Sequence, residues 1–152
     1  MGIRVRAAEL SDVDWLVGQC RDFANLQQTK LSIFPAQEST IRELLEDMIK
    51  NHLFLIAVKG EQRLGFLAAY QLTHPFNPGI RMLTEAFWYV AQEFQKFPRA
   101  MILLLDTYVE YGRANAEWTF IALQSVNPIN PDILTRRGFR AHEAQYILEV
   151  VR

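Results

Sequence analysis

Apolar and polar residues alternate from Ile3 to Arg6, the two-residue period of a short strand with one covered face. Ser11 follows as a helix cap, and Asp12 and Asp14 sit where a helix dipole favours negative charge. Trp15, Leu16, Cys20, Phe23 and Leu26 supply the apolar side of that helix. The period is lost from Gln27 to Gln37, where Pro35 marks a loop. Ser39, with Arg42 and Glu43, begins a second helix with the stripe Ile41, Leu44, Leu45 and Met48, ending near Asn51.

Strands are expected next. Leu53 to Val58 is short and wholly apolar, Lys59-Gly60-Glu61-Gln62 reads as a hairpin turn, and Leu64 to Leu72 returns. Pro75, Pro78 and Gly79 make His74 to Gly79 a loop before a third strand of the meander, Arg81 to Val90. Met101, Leu104, Leu105 and Tyr108 then follow helical spacing, for a helix from Pro98 or Arg99 to Gly112 or Arg113. Pro98 suits a first helical turn, where a missing N–H costs least. Trp118 to Leu123 reads as a buried strand. Asn130-Pro131-Asp132 opens a short helix stopped by Gly138, and Phe139 to Val151 is a final extended stretch. The order β, α, α, β, β, β, α, β, α, β predicts an α+β domain over residues 1–152, with a mixed, mostly antiparallel sheet covered by helices.

Composition narrows the function classes. Net charge is −1 and charged residues are 22%, which argues against a broad nucleic-acid or membrane surface and against a disordered chain. The longest apolar runs fall far below the ~18 residues of a membrane span. No signal peptide is read at the start, and the single Cys20 leaves no internal disulfide and no zinc cluster, so a reducing cytoplasmic setting is expected.

The order of elements, with two short motifs, resembles the GNAT superfamily of acyl-CoA-dependent N-acetyltransferases. The first motif is Glu85-Ala86-Phe87-Trp88-Tyr89-Val90 followed by Gln95-Lys96-Phe97-Pro98-Arg99-Ala100. Gln95, Pro98 and Ala100 fall on the signature positions of that family's pyrophosphate loop, Gln/Arg-x-x-Gly-x-Gly/Ala. The second is Leu134-Thr135-Arg136-Arg137-Gly138-Phe139, which looks like the family's helix end before a Gly-Phe step. The ending Glu143 to Val150 is similar to compact GNAT proteins of tailed bacteriophages.

The resemblance implies acetyl-CoA as cosubstrate and an amine on a small molecule or protein as acceptor. It implies that Trp88, Tyr89 and Val90 line a pantetheine slot, with the strand from Trp118 as its other wall. The pyrophosphate would lie against Gln95, Lys96, Phe97, Pro98, Arg99 and Ala100, and Asn127 would contact the coenzyme. Independently of any family, a helix N-terminus offers free N–H groups and a positive dipole end to phosphates, and Lys96 and Arg99 add charge there. Two residues depart from the family pattern. Pro98 stands for a Gly and removes one N–H donor, and Leu134 stands where many members carry a Tyr acid for the leaving thiolate.

Amine acylation needs an acceptor for the amine proton. Glu85, at the start of the central strand, is the candidate base, weighed evenly against a solvated strand-end charge. Tyr146 is the candidate replacement acid, because the final strand lies near the sheet's centre-line in this fold. Tyr108 and Tyr111 read as core or rim aromatics with hydroxyls at the surface. His52 reads as a helix end, His74 as a loop residue, and the three isolated histidines make no metal site. Cys20 reads as core, Ser125 lacks a nucleophile elbow, and Asn127 and Asn130 carry turn chemistry as the competing reading. Three readings follow: an N-acetyltransferase, a non-catalytic GNAT-fold binding protein, and a nucleic-acid-modifying acyltransferase using Arg136, Arg137 and Arg140, against which the charge weighs. A homodimer stays open.

Overall fold

The structure is a computed structural model that describes residues 2–31, 37–95, 98–123, 129–146 and 148. Five strands form one sheet in the order β1 (Ile3–Ala7), β2 (Leu53–Lys59), β3 (Gln62–His74), β4 (Asn77–Val90) and β5 (Trp118–Phe120). The first four pair antiparallel, and β5 returns parallel to β4 through a helical crossover. The helices are α1 (Val13–Leu31), α2 (Glu38–Asn51), α3 (Pro98–Asn115) and α4 (Asp132–Thr135).

The unbroken apolar run of β2 has a physical reason: both faces are covered. Leu53, Leu55 and Ala57 enter a core under α3 and α4, while Phe54, Ile56 and Val58 enter a second core under α1 and α2. The stripe on α3, namely Met101, Leu104, Leu105 and Tyr108, is buried in the first core. Leu45 and Met48 of α2 are buried in the second. Gly65 lets β3 and β4 approach closely: a Cβ there would lie 2.6 Å from the carbonyl oxygen of Tyr89.

Several expected boundaries move. α1 continues to Leu31, through the first part of the segment expected to be a loop. Leu, Gln and Lys are good helix formers, so a helix can outrun its apolar stripe. Its entry is a 3-10 turn over Leu10–Asp12, with Glu9 rather than Ser11 at the cap position. The Asp12 carboxylate accepts the Glu9 backbone N–H at 2.8 Å and ion pairs with Arg6 and Arg63, each at 2.8 Å. The expected loop from His74 to Gly79 is a hairpin closed by the pair His74–Asn77. Pro78 and Gly79 fall in its irregular register, where no ladder bond is lost to proline.

The strand from Trp118 ends at Phe120, not at Leu123, and it is not buried as expected: it is the edge strand of the sheet, with Trp118 exposed and Thr119 and Phe120 half-buried. The expected strand from Phe139 to Val151 is not formed over residues 139–146 or at 148; the rest lies outside the described residues. An alternating sequence needs a neighbour to pair with before it becomes a strand, and periodicity alone does not supply one.

Candidate active site

The centre of the site is set by a register change in β4. Ala68 of β3 pairs with Phe87, but Ala69 pairs with Glu85, so Ala86 is an extra, bulged residue. Leu83, Trp88 and Val90 belong to the α3-side core, whereas Tyr89 belongs to the α1 and α2 side. Pairing between β4 and β5 runs over Met82–Trp118, Leu83–Thr119 and Thr84–Phe120 and stops there. Glu85 is the first residue beyond the last pair.

Glu85 is 8% exposed. Burial pushes its carboxyl up to about 7, and a hydrogen bond from the Ala122 backbone only partly offsets this. A carboxyl so placed can exchange a proton near neutrality. It borders a cavity of about 710 Å³, whose walls include Phe120, Ala122, Leu134, Phe139 and Glu143. Gly138 shapes that wall. Its φ of 91° is the left-handed conformation that favours glycine, and it turns the chain so that the Phe139 N–H reaches the Leu134 carbonyl at 3.2 Å. Asn130 Oδ1 accepts the Asp132 N–H at 3.0 Å and so opens α4, which is the turn chemistry expected of it.

The sequence-derived candidates are distributed as follows. Glu85 and Leu134 meet at the cavity, and Leu134 is an apolar, buried wall. The side chains of Trp88, Tyr89 and Val90 are buried in the two cores, so what they can present to a ligand at the diverging edge is backbone. Gln95 follows the end of β4 and its Nε2 donates to the Val90 carbonyl at 3.0 Å. Pro98 and Arg99 are exposed at the start of α3, and Ala100 is buried. Lys96, Phe97 and Asn127 lie outside the described residues. Tyr146 is 95% exposed in a segment that is not a strand, so the argument that set it at the sheet's centre-line does not hold.

Other candidates settle into structural roles. Burial pushes the Cys20 thiol up to about 12, which leaves it protonated and unreactive at neutral pH. His52 Nδ1 accepts the Gln71 N–H at 3.0 Å, tying the end of α2 to β3. His74 Nδ1 accepts the Phe76 N–H at 3.1 Å, and its ring stands edge-on to Trp118. Arg137 pairs with Asp106 and donates to the Ile133 carbonyl, so it is committed to holding α4. Among the described residues, no group of three or more His, Cys, Asp or Glu could hold a metal, and no helix is long and apolar enough to cross a membrane.

The expectation for Tyr108 is corrected. Its ring is wholly buried and its hydroxyl, expected at the surface, lies between β4 and β5, where it hydrogen-bonds the Phe120 carbonyl. Helical spacing marks the ring as core but carries no information about a hydroxyl's partners across the sheet.

No family model matches this sequence, and no curated protein does. Solved structures do. A probable acetyltransferase is 20% identical, with a TM-score of 0.71, covering 100% of this chain and 99% of its own. A GNAT family acetyltransferase from Staphylococcus aureus is 16% identical, with a TM-score of 0.66 over 99% of this chain and 100% of its own. A predicted acetyltransferase from Clostridium acetobutylicum, described with acetyl-CoA, is 15% identical, with a TM-score of 0.69 over 97% and 96%. The chain therefore has the GNAT acetyltransferase fold, an α+β architecture on a five-stranded mixed sheet. None of these three is described as a phage protein.

Proposed function

We propose that the protein is an N-acetyltransferase that moves an acetyl group from acetyl-CoA to an amine, on a small molecule or a protein, by direct attack. The observation that carries this reading is the buried Glu85 carboxyl at the point where β4 and β5 part, facing a cavity of about 710 Å³. The fold it shares with a structure described with acetyl-CoA supports the choice of donor.

The pantetheine arm lies along the diverging edge of β4, taking its hydrogen bonds from the backbone of residues 86–90. Val90 lies five residues beyond Glu85, about 17 Å of strand, and the chain from there leads to the start of α3. There the free N–H groups of the first turn meet the pyrophosphate. Arg99, exposed at that turn, and Lys96 supply positive charge. Pro98 contributes no N–H but fixes the backbone at helical φ, so the loop is stiffer and less rich in donors than a glycine loop. Gln95 braces it against Val90.

In the chemical step the amine nitrogen forms a bond to the thioester carbon, and the carbon–sulfur bond breaks. The CoA thiolate departs with the electron pair. Glu85, as carboxylate, takes the proton from nitrogen directly or through one water. Leu134 offers no proton to the thiolate, which is a good enough leaving group to be protonated later by solvent.

Calorimetric titration with CoA and with acetyl-CoA tests the reading. Binding of both is expected, with a rise in melting temperature at saturation, since a ligand that binds only the folded state stabilises it. Absence of binding to either would favour a non-catalytic GNAT-fold protein, the reading that Pro98 and Leu134 support.

A further inference from the structure

The cavity beside Glu85 opens onto an apolar floor. Leu72 of β3, Met82 of β4 and Trp118 of β5 lie in register across the sheet, and the next row toward Glu85 is Tyr70, Thr84 and Phe120. Residues paired across strands project from the same face. Leu83 and Thr119, which alternate with these, face α3, so the floor is on the opposite side of the sheet. Met82, Thr84 and Phe120 are also walls of the cavity, which makes cavity and floor one surface.

The floor is exposed. Leu72 and Trp118 each show 46% of their surface. Aromatic rings carry it on to the hairpin: the Phe120 ring lies 6.3 Å from Trp118, Trp118 lies 5.4 Å from His74, and His74 lies 5.7 Å from Phe76, which is 93% exposed. Single apolar side chains are ordinary on a surface, but a contiguous run that leads into a cavity marks a binding surface.

Length and direction say what would lie there. From Thr84 to Asn77 the floor follows roughly 23 Å of β4, more than a small amine can use and the span of about seven residues of extended peptide. Alternate side chains of such a peptide recur on one side every ~6.5–7 Å, close to the spacing of the rings. The floor leaves Glu85 in one direction, away from residues 86–90 and the pantetheine arm proposed to lie on them. A chain end fits that geometry, whereas an internal lysine would bring chain to both sides of its amine. Charge favours a cation: among the described residues lining the cavity, the Glu85 and Glu143 carboxyls face one guanidinium, that of Arg140. Glu85, which holds its proton up to about 7, is also closer to an α-amine at ~7.7–8.0 than to a lysine at ~10.4.

We infer that the acceptor is the α-amine of a polypeptide whose first residues lie extended on the floor of Leu72, Met82 and Trp118, with apolar side chains at alternate positions. The inference rests on the acetyltransferase reading. The α-amine nitrogen takes the acetyl group, its proton passes to Glu85, and the CoA thiolate leaves.

The test offers acetyl-CoA and a degenerate library of octapeptides, each with a free N-terminus and one lysine at its last position, and sequences the acetylated products by mass spectrometry. Alaninamide, an α-amine with no chain to lie on the floor, is assayed alongside by thiol release. The label is expected on the α-amine at least tenfold more often than on the lysine, with apolar residues enriched at alternate positions. Leu72→Glu should abolish that enrichment and lower library turnover about tenfold, while alaninamide turnover stays within about twofold of the wild type. Leu10→Glu is the control, because Leu10 is equally exposed but follows β1 at the other edge of the sheet. Circular dichroism checks folding, and Leu72→Ser serves if Leu72→Glu does not fold. Acetyl-CoA binding with equal use of alaninamide and peptides, or with no apolar enrichment, would overturn the peptide floor and leave the acetyltransferase reading standing. Label on lysine as often as on the α-amine would overturn the chain-end assignment. A wild type that binds no acetyl-CoA would overturn the acetyltransferase reading, and the acceptor with it.

Discussion

The Glu85 carboxyl accepts a hydrogen bond from the backbone of Ala122, across the gap where β4 and β5 have ceased to pair. One hydrogen bond does not compensate for burial, so the folded protein holds the Glu85 proton up to a pH of about 7, against an ordinary value of 4.5. The folded state then binds more protons than the unfolded state between those values. Stability is fully present below about 4.5 and falls as the pH rises through about 7. Glu85→Gln, an uncharged isostere, removes this slope. Denaturant unfolding at a series of pH values should show the variant matching the wild type near pH 4.5 and exceeding it by about 3 kcal/mol above pH 7. Parallel pH profiles of the two proteins would mean that Glu85 is solvated after all.

The same titration governs catalysis in the proposed mechanism. Only the carboxylate can accept the amine proton, so wild-type turnover should fall as a single proton is taken up near pH 7. Glu85→Gln should abolish that limb and lower the rate by ~10²–10⁴-fold at slightly alkaline pH. The gap should narrow at higher pH, where the amine is already deprotonated. Wild-type turnover by the variant across the whole range would end the base assignment.

Much of this site could be read in the sequence, and the limits have identifiable physical causes. Leu53 to Val58, the stripe on α3 and the turn at Gly138 announce themselves because each depends on local spacing or local backbone geometry. Glu85 was legible as a strand carboxylate near a loop motif, but its expected place at the strand's start is corrected: β4 begins at Asn77, because the hairpin carries the strand back through Pro78 and Gly79. The depth of Glu85 was not legible, because burial depends on α3 and on the segment after β5, far away in sequence. The Ala86 bulge leaves no mark in composition, yet it brings Trp88 and Val90 onto the face of the sheet that Leu83 occupies. The Tyr108 hydroxyl was hidden for the same reason: its partners are backbone groups, and backbone groups have no letter in a sequence. The expected strand carrying Tyr146 failed in the opposite sense, since alternation is necessary for a strand but does not provide its neighbour.

Asp12 ties three parts of the chain together. Burial alone would raise its pKa, but hydrogen bonds from Arg6, the Glu9 backbone and Arg63 outweigh it and hold the carboxyl well below the ordinary carboxylate range. Its contribution to stability is therefore present above the ordinary value of 3.8 and is lost as the pH falls below it. Asp12→Asn leaves two guanidinium groups without their shared carboxylate. Because those side chains are 26% and 33% exposed, the cost should sit at the lower end for a broken buried pair, about 3 kcal/mol. Chemical denaturation at neutral pH measures it, and a change within about 0.5 kcal/mol would make the cluster a surface feature.

Gly112 is expected to resist replacement. In an isolated helix, Ala is favoured over Gly by about 1 kcal/mol. Here the new Cβ would stand 3.1 Å from the Thr119 Cβ and closer still to its Oγ1, and β5 has only three residues with which to yield. Overpacking of that kind typically costs about 1–3 kcal/mol, so Gly112→Ala should be net destabilising. Thr119→Ala in the same chain removes the two closest atoms and should recover most of the loss. Additive effects of the two changes in thermal unfolding would show that α3 and β5 are not in close contact there.

Charge at the start of α3 provides the last prediction. Arg99 is exposed on the first turn, where the dipole and the free N–H groups already favour an anion. Lys96 precedes it by three residues in the segment proposed to face the pyrophosphate. Arg99→Glu together with Lys96→Glu replaces two cations with two anions and should weaken CoA binding by at least tenfold, an effect that grows as salt is lowered because exposed charges are screened. Arg99 packs in neither core, so the far-ultraviolet spectrum and unfolding midpoint should change little. The same double variant should bind dephosphorylated pantetheine, which carries no pyrophosphate, as well as the wild type does. Equal CoA affinity in the variant and the wild type at low salt would place the phosphates elsewhere on the molecule.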